Sequence, residues 1–168
     1  MPALRIILLS IGAAITYGII HDQITARLCV EYFTIGHPQI IESDSPTVLA
    51  FFWGGVATWW VGLLLGTGLT IAARVGRRPK LTASQLRRPI GFLMITMFSI
   101  ALLAGIIGYF SAQADAIKLL EPLATEVPAD KHIAFLTVAA AHLGSYLSSF
   151  IGGITLWMIT WKKRTPTL

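Results

Sequence analysis

The chain has 168 residues, of which 55% are hydrophobic and only 12% charged, and its mean hydropathy is +0.71. This composition excludes an ordinary soluble domain and predicts several membrane spans in one helical bundle. The single cysteine, Cys29, excludes both an intramolecular disulfide and a metal cluster held by cysteines, while the net charge of +5 raises the question of a nucleic-acid partner.

The first predicted span covers residues 4–21, which are apolar apart from a few polar side chains. Arg5 before an apolar run is also typical of a signal peptide, but no convincing cleavage site follows, so we expect a retained helix. Gly and Pro are absent from residues 20–34. The helix is therefore predicted to run on to about Phe33, beyond the roughly 20 residues that a bilayer requires, and to end at the Gly-His-Pro sequence that follows.

The second predicted span covers residues 47–73 and begins after a Ser-Pro pair, which supplies a capping side chain and a proline for the first helical turn. A loop rich in arginine follows it. Within this loop Thr82 and Gln85 have the spacing of a capping box, which predicts a short interfacial helix before Pro89.

The last two spans are predicted over residues 90–111 and 134–161, with a polar segment between them. No soluble domain interrupts the series, so residues 1–168 are predicted to form a single integral membrane domain. The predicted fold class is all-α, a four-helix transmembrane bundle. Its first and fourth helices are expected to be long and to protrude on the extracytoplasmic side.

The basic residues predict the orientation of this bundle. With four spans, the two termini and the middle loop share one side of the membrane, and the eight carboxylates all fall on the other side. Positive residues in short loops remain in the cytoplasm, so both termini are predicted to be cytoplasmic. This topology explains the positive charge by attraction to anionic lipid, without nucleic acid. Ten of the 13 basic residues lie on the cytoplasmic side: Arg5, Arg74, Arg77, Arg78, Lys80, Arg87, Arg88, Lys162, Lys163 and Arg164.

Small residues recur every four positions in two of the spans. Such stripes allow helix backbones to approach closely, which drives helix association in lipid. We expect them to hold the bundle together, and self-association of the chain is the alternative. The stripes are Gly54, Thr58, Gly62 and Gly66 in the second span, and Gly144, Ser148 and Gly152 in the fourth.

Two histidines lie near the outer boundary of the bilayer. His21 and His142 are each about 20 residues from the basic anchor of their helix. We therefore predict that the first and fourth helices meet there, with both imidazoles turned into the bundle and within about 8 to 10 Å of each other. Above them Arg27 is predicted to pair with Glu31 on the same helical face. The candidate residues for binding a ligand or partner are His21, Asp22, Arg27, Glu31, His37 and His142.

Three interpretations of these residues stay open. They join the helix ends as interfacial polar groups, they bind a small polar ligand, a lipid headgroup or a proton, or they hold a metal or a haem. No H-x-x-x-H or E-x-x-H spacing within one helix supports the third interpretation. Phosphate-binding loops, dinucleotide fingerprints and G-x-S-x-G elbows are absent from the sequence.

The stretch from His21 to Pro38, HDQITARLCVEYFTIGHP, resembles small bacterial four-span membrane proteins for which no activity is assigned. The resemblance includes the apolar span before this stretch and the span with Trp59 and Trp60 after it, and thus covers most of the chain. It implies four spans in the bacterial cytoplasmic (inner) membrane. It implies no functional residue.

The predicted function is that of a small multi-pass membrane protein, a non-enzymatic accessory or binding protein that uses its extracytoplasmic polar cluster. The alternative is a membrane enzyme or redox protein with a haem or metal held by His21 and His142. No particular cofactor is indicated. The predicted partners are the lipid bilayer and either another membrane protein or a second copy of the chain.

Overall fold

The computed structural model describes residues 1–164, and this part of the chain contains helices and no strand. The all-α fold class is therefore confirmed. A short 3₁₀ helix, Ala129–Lys131, leads into the last α-helix. The α-helices are α1 (Pro2–Leu28), α2 (Glu31–Thr34), α3 (Pro46–Val56), α4 (Trp59–Arg74), α5 (Ala83–Gln113), α6 (Leu123–Glu126) and α7 (His132–Lys163).

Four segments of the described chain are long and apolar enough to cross a membrane: Pro2–Leu28, Pro46–Arg74, Ala83–Gln113 and Ala129–Lys163. Large apolar side chains lie exposed along them, with Phe92 73% and Ile151 65% accessible. Exposed apolar surface on this scale suits contact with lipid rather than water. The four predicted spans thus correspond to four helical segments, and the protein is a multi-pass membrane protein by this criterion.

The first helix is shorter than predicted. α1 ends at Leu28, and Cys29 has an extended backbone with φ −153° and ψ 99°. Nothing in the local sequence forbids a helix here, so the cause is tertiary packing. The buried side chains of Cys29 and Phe33 both join an apolar cluster with Trp53, and the break after Leu28 directs the following turn onto this cluster. The prediction of one helix to about Phe33 is wrong, because α2 forms a separate turn.

The second and third spans also differ from prediction. The second span is interrupted between α3 and α4, where the hydroxyl of Thr58 donates to the carbonyl of Gly54. The third helix continues through Pro89 from Ala83, so no separate interfacial helix precedes that proline. The predicted capping box is present, with the backbone N–H of Thr82 donating to the side chain of Gln85 at 2.9 Å.

The small-residue stripes lie inside the bundle. α1 packs against α3 and α4, and α5 packs along α7. A Cβ added at Gly62 would lie 2.7 Å from the Cα of Ile11 in α1, and one added at Gly144 would lie 2.6 Å from Ala104 in α5. These contacts require glycine at both positions and confirm that the stripes join helices of the same chain.

The termini of several helices lie close together at one end of the bundle. Ile6, in the second turn of α1, packs with Leu69 and Ala73 of α4 and with Leu86 of α5. Arg164, directly after α7, is buried at the same end. Its guanidinium donates to four backbone carbonyls at 2.5 to 3.1 Å, those of Ala72, Val75, Arg78 and Pro79. We refer to this region, with its basic loop, as the basic end.

Candidate functional site

His21 of α1 and His142 of α7 meet towards the end of the bundle opposite the basic end. The rings of His21 and His142 lie in edge-to-face contact with their centroids 4.6 Å apart. His21 lies 16 residues after Arg5 and His142 lies 20 residues before Lys162, and these similar counts place the two residues at about the same level. The predicted meeting of these imidazoles is confirmed, at less than the expected separation.

Asp22 completes a cluster of three ionisable side chains. Its Oδ1 lies 3.7 Å from Nε2 of His142, and both side chains are almost fully buried. The same Nε2 lies 3.3 Å from the hydroxyl oxygen of Thr25, whose proton goes to the backbone carbonyl of His21. One potential ligand atom from each of the three residues lies within 4.8 Å of the other two. We call His21, Asp22 and His142 the His/Asp cluster.

One nitrogen of the cluster has no hydrogen-bond partner. Nε2 of His21 is buried and contacts no donor or acceptor among residues 1–164. His21 itself is only 6% exposed. A buried polar atom without a partner costs on the order of 1 to 3 kcal/mol, and native structures contain few of them. Such an atom at the centre of a polar cluster requires an explanation beyond packing.

The turn α2 covers the cluster with aromatic rings. Tyr32 lies 4.7 Å from the ring of His142, centroid to centroid, and Phe33 lies 5.7 Å from it. The break at Cys29 causes this arrangement, because it directs α2 back over the bundle instead of away from it. The continuous helix predicted for this segment is thus replaced by a separate turn that forms an aromatic cover.

A cavity of about 80 Å³ lies beside the cluster. The ring of Tyr17 stacks on His21 with a centroid distance of 5.8 Å, and Ser145 donates a hydrogen bond to the hydroxyl of Tyr17 at 3.0 Å. The cavity has room for an ion with water molecules or for a very small organic molecule. Its walls combine the His/Asp cluster with hydroxyl groups and aromatic rings, among them Tyr17, Tyr32, Trp53, Ser145 and Tyr146.

His37 supports the aromatic cover and does not belong to the cluster. Its Nδ1 lies 2.9 Å from the backbone carbonyl of Tyr32, which can only accept, so this nitrogen carries a proton. The ring of His37 stacks on Phe33 and lies 4.6 Å from Trp53. His37 therefore borders the cavity as a satisfied side chain that holds α2 against α3.

The structure places Arg27 and Glu31 away from the cluster. Arg27 is exposed and donates to the side chain of Gln23 at 2.6 Å and to the hydroxyl of Thr47 at 2.8 Å. Glu31 accepts a hydrogen bond from the thiol of Cys29 at 3.3 Å. The predicted pair of Arg27 with Glu31 is wrong, because the end of α1 moves Glu31 onto another element and Thr47 at the start of α3 takes its place.

Two groups outside the spans are held in their neutral forms. Burial raises the pKa of the Cys29 thiol to about 11, and the neighbouring Glu31 adds to the effect. Burial also raises the pKa of the Tyr32 phenol to about 12, with smaller contributions from Tyr146 and Asp22. At neutral pH the site therefore contains no thiolate or phenolate from these residues, and Cys29 supports the fold rather than acting as a nucleophile.

The geometry does not fit a haem between the two histidines. Imidazole nitrogens on opposite sides of an iron are about 4 Å apart, which puts the ring centroids roughly 6 Å apart with the porphyrin between them. The rings of His21 and His142 touch at 4.6 Å and leave no such gap. A cavity of about 80 Å³ is also far smaller than a porphyrin.

Sequence reasoning missed the aromatic residues that build the cover. Trp53 lies in an apolar span and Phe33 in a segment predicted as exposed helix, so neither has a local pattern that marks it. Both become part of the site only through the break after α1. The available sequence signal is the four-residue spacing of Cys29 and Phe33, and this spacing is equally typical of one face of a continuous helix.

Comparison with known proteins adds no further information about this site. No protein-family model, no curated protein and no solved structure matches the chain. The function must therefore be inferred from the geometry of the described residues.

Proposed function

We propose that the protein binds a small ligand within the membrane, in the cavity between α1, α2 and α7. The observation that carries this proposal is the buried Nε2 of His21, which has no partner among residues 1–164 and lies beside two further ionisable side chains. Ionisable residues within membrane spans are costly and commonly functional. An accessory protein that captures a ligand here needs no catalytic group of its own.

The polar contacts of the cluster are too long for a purely structural network. The two distances from Nε2 of His142, 3.3 Å to Thr25 and 3.7 Å to Asp22, exceed the usual length of an N–H···O hydrogen bond, about 2.9 Å. A network that serves stability alone tends to satisfy every buried member. The cluster instead retains unused bonding capacity towards the cavity, as a binding site requires.

We infer further that the protein resides in the bacterial cytoplasmic membrane with both termini in the cytoplasm. The excess of basic residues in the termini and the middle loop supports this orientation. The resemblance of residues 21–38 to small bacterial membrane proteins supports the location. In this orientation the His/Asp cluster lies near the extracytoplasmic boundary of the bilayer, where a ligand from that side has a short path to it.

The substitution Asp22→Asn tests the proposal in extensively dialysed protein. If the cluster is a binding site, Asn removes a buried ionisable group that the ligand-free fold does not satisfy, and the free energy of unfolding rises by about 1 kcal/mol. The matched control is Ser145→Ala in the same wall, which removes a satisfied hydrogen bond to Tyr17 and lowers that free energy by about 1 kcal/mol. Destabilisation by Asp22→Asn of the same size as the control would show that the cluster is structural.

A further inference from the structure

We propose that the His/Asp cluster binds one divalent first-row transition-metal ion through two imidazole nitrogens and one carboxylate oxygen, with the remaining coordination positions open to the cavity. This assignment rests on the proposed ligand-binding function and names the ligand of that site. Three protein ligands with an open position are the usual set for a metal that must also contact water or another molecule.

The spacing of the ligand atoms is close to that of a formed site. In a tetrahedral site with metal–ligand distances of about 2.1 Å, ligand atoms are roughly 3.4 Å apart. The distance between His142 and Asp22 is already 3.7 Å, and one ligand atom of His21 lies within 4.8 Å of both. Small side-chain rotations therefore bring all three to coordinating distance without movement of α1 or α7.

The four histidines of the chain divide into two classes. His37 and His132 each have a ring nitrogen 2.9 Å from a backbone carbonyl, which fixes a proton on it. His21 has an unpartnered nitrogen, and the nitrogen of His142 has only the long contacts described above. The histidines with unused nitrogens are those that converge on a carboxylate, whereas the satisfied ones do not.

The chemistry of the ligand atoms favours a cation of this class. Asp22 contributes a buried carboxyl group within a candidate span, and the nearest cation along the helix, Arg27, is directed to Gln23 and Thr47 instead. A divalent ion coordinated by this carboxyl group keeps it in its ionised form and uses both imidazoles. Imidazole ligands suit zinc, iron, copper and nickel, whereas magnesium and calcium prefer sites made of oxygen atoms.

The cavity provides partners for the open coordination positions. Ser145 donates to the hydroxyl oxygen of Tyr17, so the proton of Tyr17 remains available towards the cavity. A water molecule on the metal can accept this hydrogen bond, and the cavity volume of about 80 Å³ accommodates it. When Nε2 of His142 coordinates the metal, it loses only its 3.3 Å contact with the hydroxyl of Thr25.

Metal titration of the full chain tests the assignment. Protein in detergent is freed of metal with a chelator and titrated with Zn²⁺ or Mg²⁺ by calorimetry, and with Co²⁺ by visible absorption. We expect one Zn²⁺ per chain, Co²⁺ bands of a four- or five-coordinate site, and no saturable uptake of Mg²⁺. His21→Gln, Asp22→Asn and His142→Gln should each weaken Zn²⁺ binding at least tenfold, whereas the matched control His132→Gln should change it less than twofold.

Several results would overturn the metal assignment. They are the absence of one-to-one uptake of Zn²⁺ and Co²⁺ by the parent, equal loss in the control variant His132→Gln, and Zn²⁺ affinity unchanged by His142→Gln. The Co²⁺ spectrum requires only the parent protein, so it tests the assignment even if a variant fails to fold. If the parent takes up no metal while Asp22→Asn still raises the free energy of unfolding, the metal assignment falls and the ligand-binding function stands.

Discussion

The two ends of the bundle bury ionisable side chains in opposite ways. At the basic end the guanidinium of Arg164 donates to four backbone carbonyls at 2.5 to 3.1 Å and joins the end of α7 to the loop after α4. At the other end the His/Asp cluster has two long contacts and one nitrogen without a partner among residues 1–164. Burial alone thus does not distinguish structure from function. A structural role is distinguished from a functional one by whether the buried polar atoms have hydrogen-bond partners.

The two ends of the bundle are also stabilised by different interactions, hydrogen bonds at the basic end and apolar packing at the other. Hydrogen bonds from Arg164 connect the end of α7 to the loop that follows α4. At the cluster end Phe33, Trp53 and Phe135 form an apolar group above the polar residues, so packing supports the site from outside. A site held in this way can retain unsatisfied groups without loss of the fold.

The largest effect we expect is the all-or-none signal of topology reporters. A reporter fused after Arg78 should have the activity expected in the cytoplasm, and one fused after Ser43 the activity expected outside it, because positive residues in short loops are retained in the cytoplasm. The inverse pattern would exchange the sides assigned to the basic end and to the His/Asp cluster.

Loss of the aromatic cover should be the largest effect on stability. Phe33→Ala removes a side chain that is 2% exposed and should lower the free energy of unfolding by about 3 kcal/mol, measured by denaturation in detergent. Phe92→Ala is the control, since that side chain is 73% exposed. Equal melting of Phe33→Ala and the parent would mean that α2 does not cover the site.

Removal of the guanidinium at the basic end should have a somewhat smaller effect. Arg164→Met leaves four carbonyl groups without their donor and should lower the free energy of unfolding by about 2 kcal/mol, by the same measurement. Arg77→Met is the control, because Arg77 is exposed on the same loop. If the two variants unfold alike, the hydrogen bonds of Arg164 do not stabilise the basic end, and the proposed contrast with the His/Asp cluster is wrong.

The smallest effect concerns the thiol below the cover. Since burial raises the pKa of Cys29 to about 11, its neutral form persists in the native state well above pH 8. The associated stability is present below the ordinary thiol pKa of 9.0 and is lost as the pH rises from there through about 11. Iodoacetamide should therefore modify native Cys29 far more slowly at pH 8 than the same residue in denaturant, as measured by mass. Equal rates in the two states would show that α2 opens readily.

The depth of the cluster could be predicted because helix geometry is regular. Counting from Arg5 and from Lys162 puts His21 and His142 at one level, and the bilayer environment predicts that both rings turn inward. The structure has the two rings in contact. The class of fold and the number of candidate spans follow equally from composition and apolar run length.

The neighbours of the cluster could not be predicted because they depend on contacts distant in sequence. The absence of Gly and Pro permits a helix through Cys29, and the break there depends on packing with Trp53 and Phe135. The spacing of Arg27 and Glu31 suits a pair on one helix, but Thr47 is brought to Arg27 by the packing of α3 on α1. The spacing of residues along one helix does not reveal partners, such as Thr47, that come from another helix.

Native mass spectrometry of the intact protein tests the central claim most directly. Protein released from the membrane without chelator should carry a small bound mass in addition to the 18.2 kDa chain. This mass should be absent from His142→Leu and retained in His132→Gln, because only the first substitution removes a member of the His/Asp cluster. A parent protein at the mass of the chain alone, or a bound mass that persists in His142→Leu, would contradict the assignment of the cluster as a ligand site.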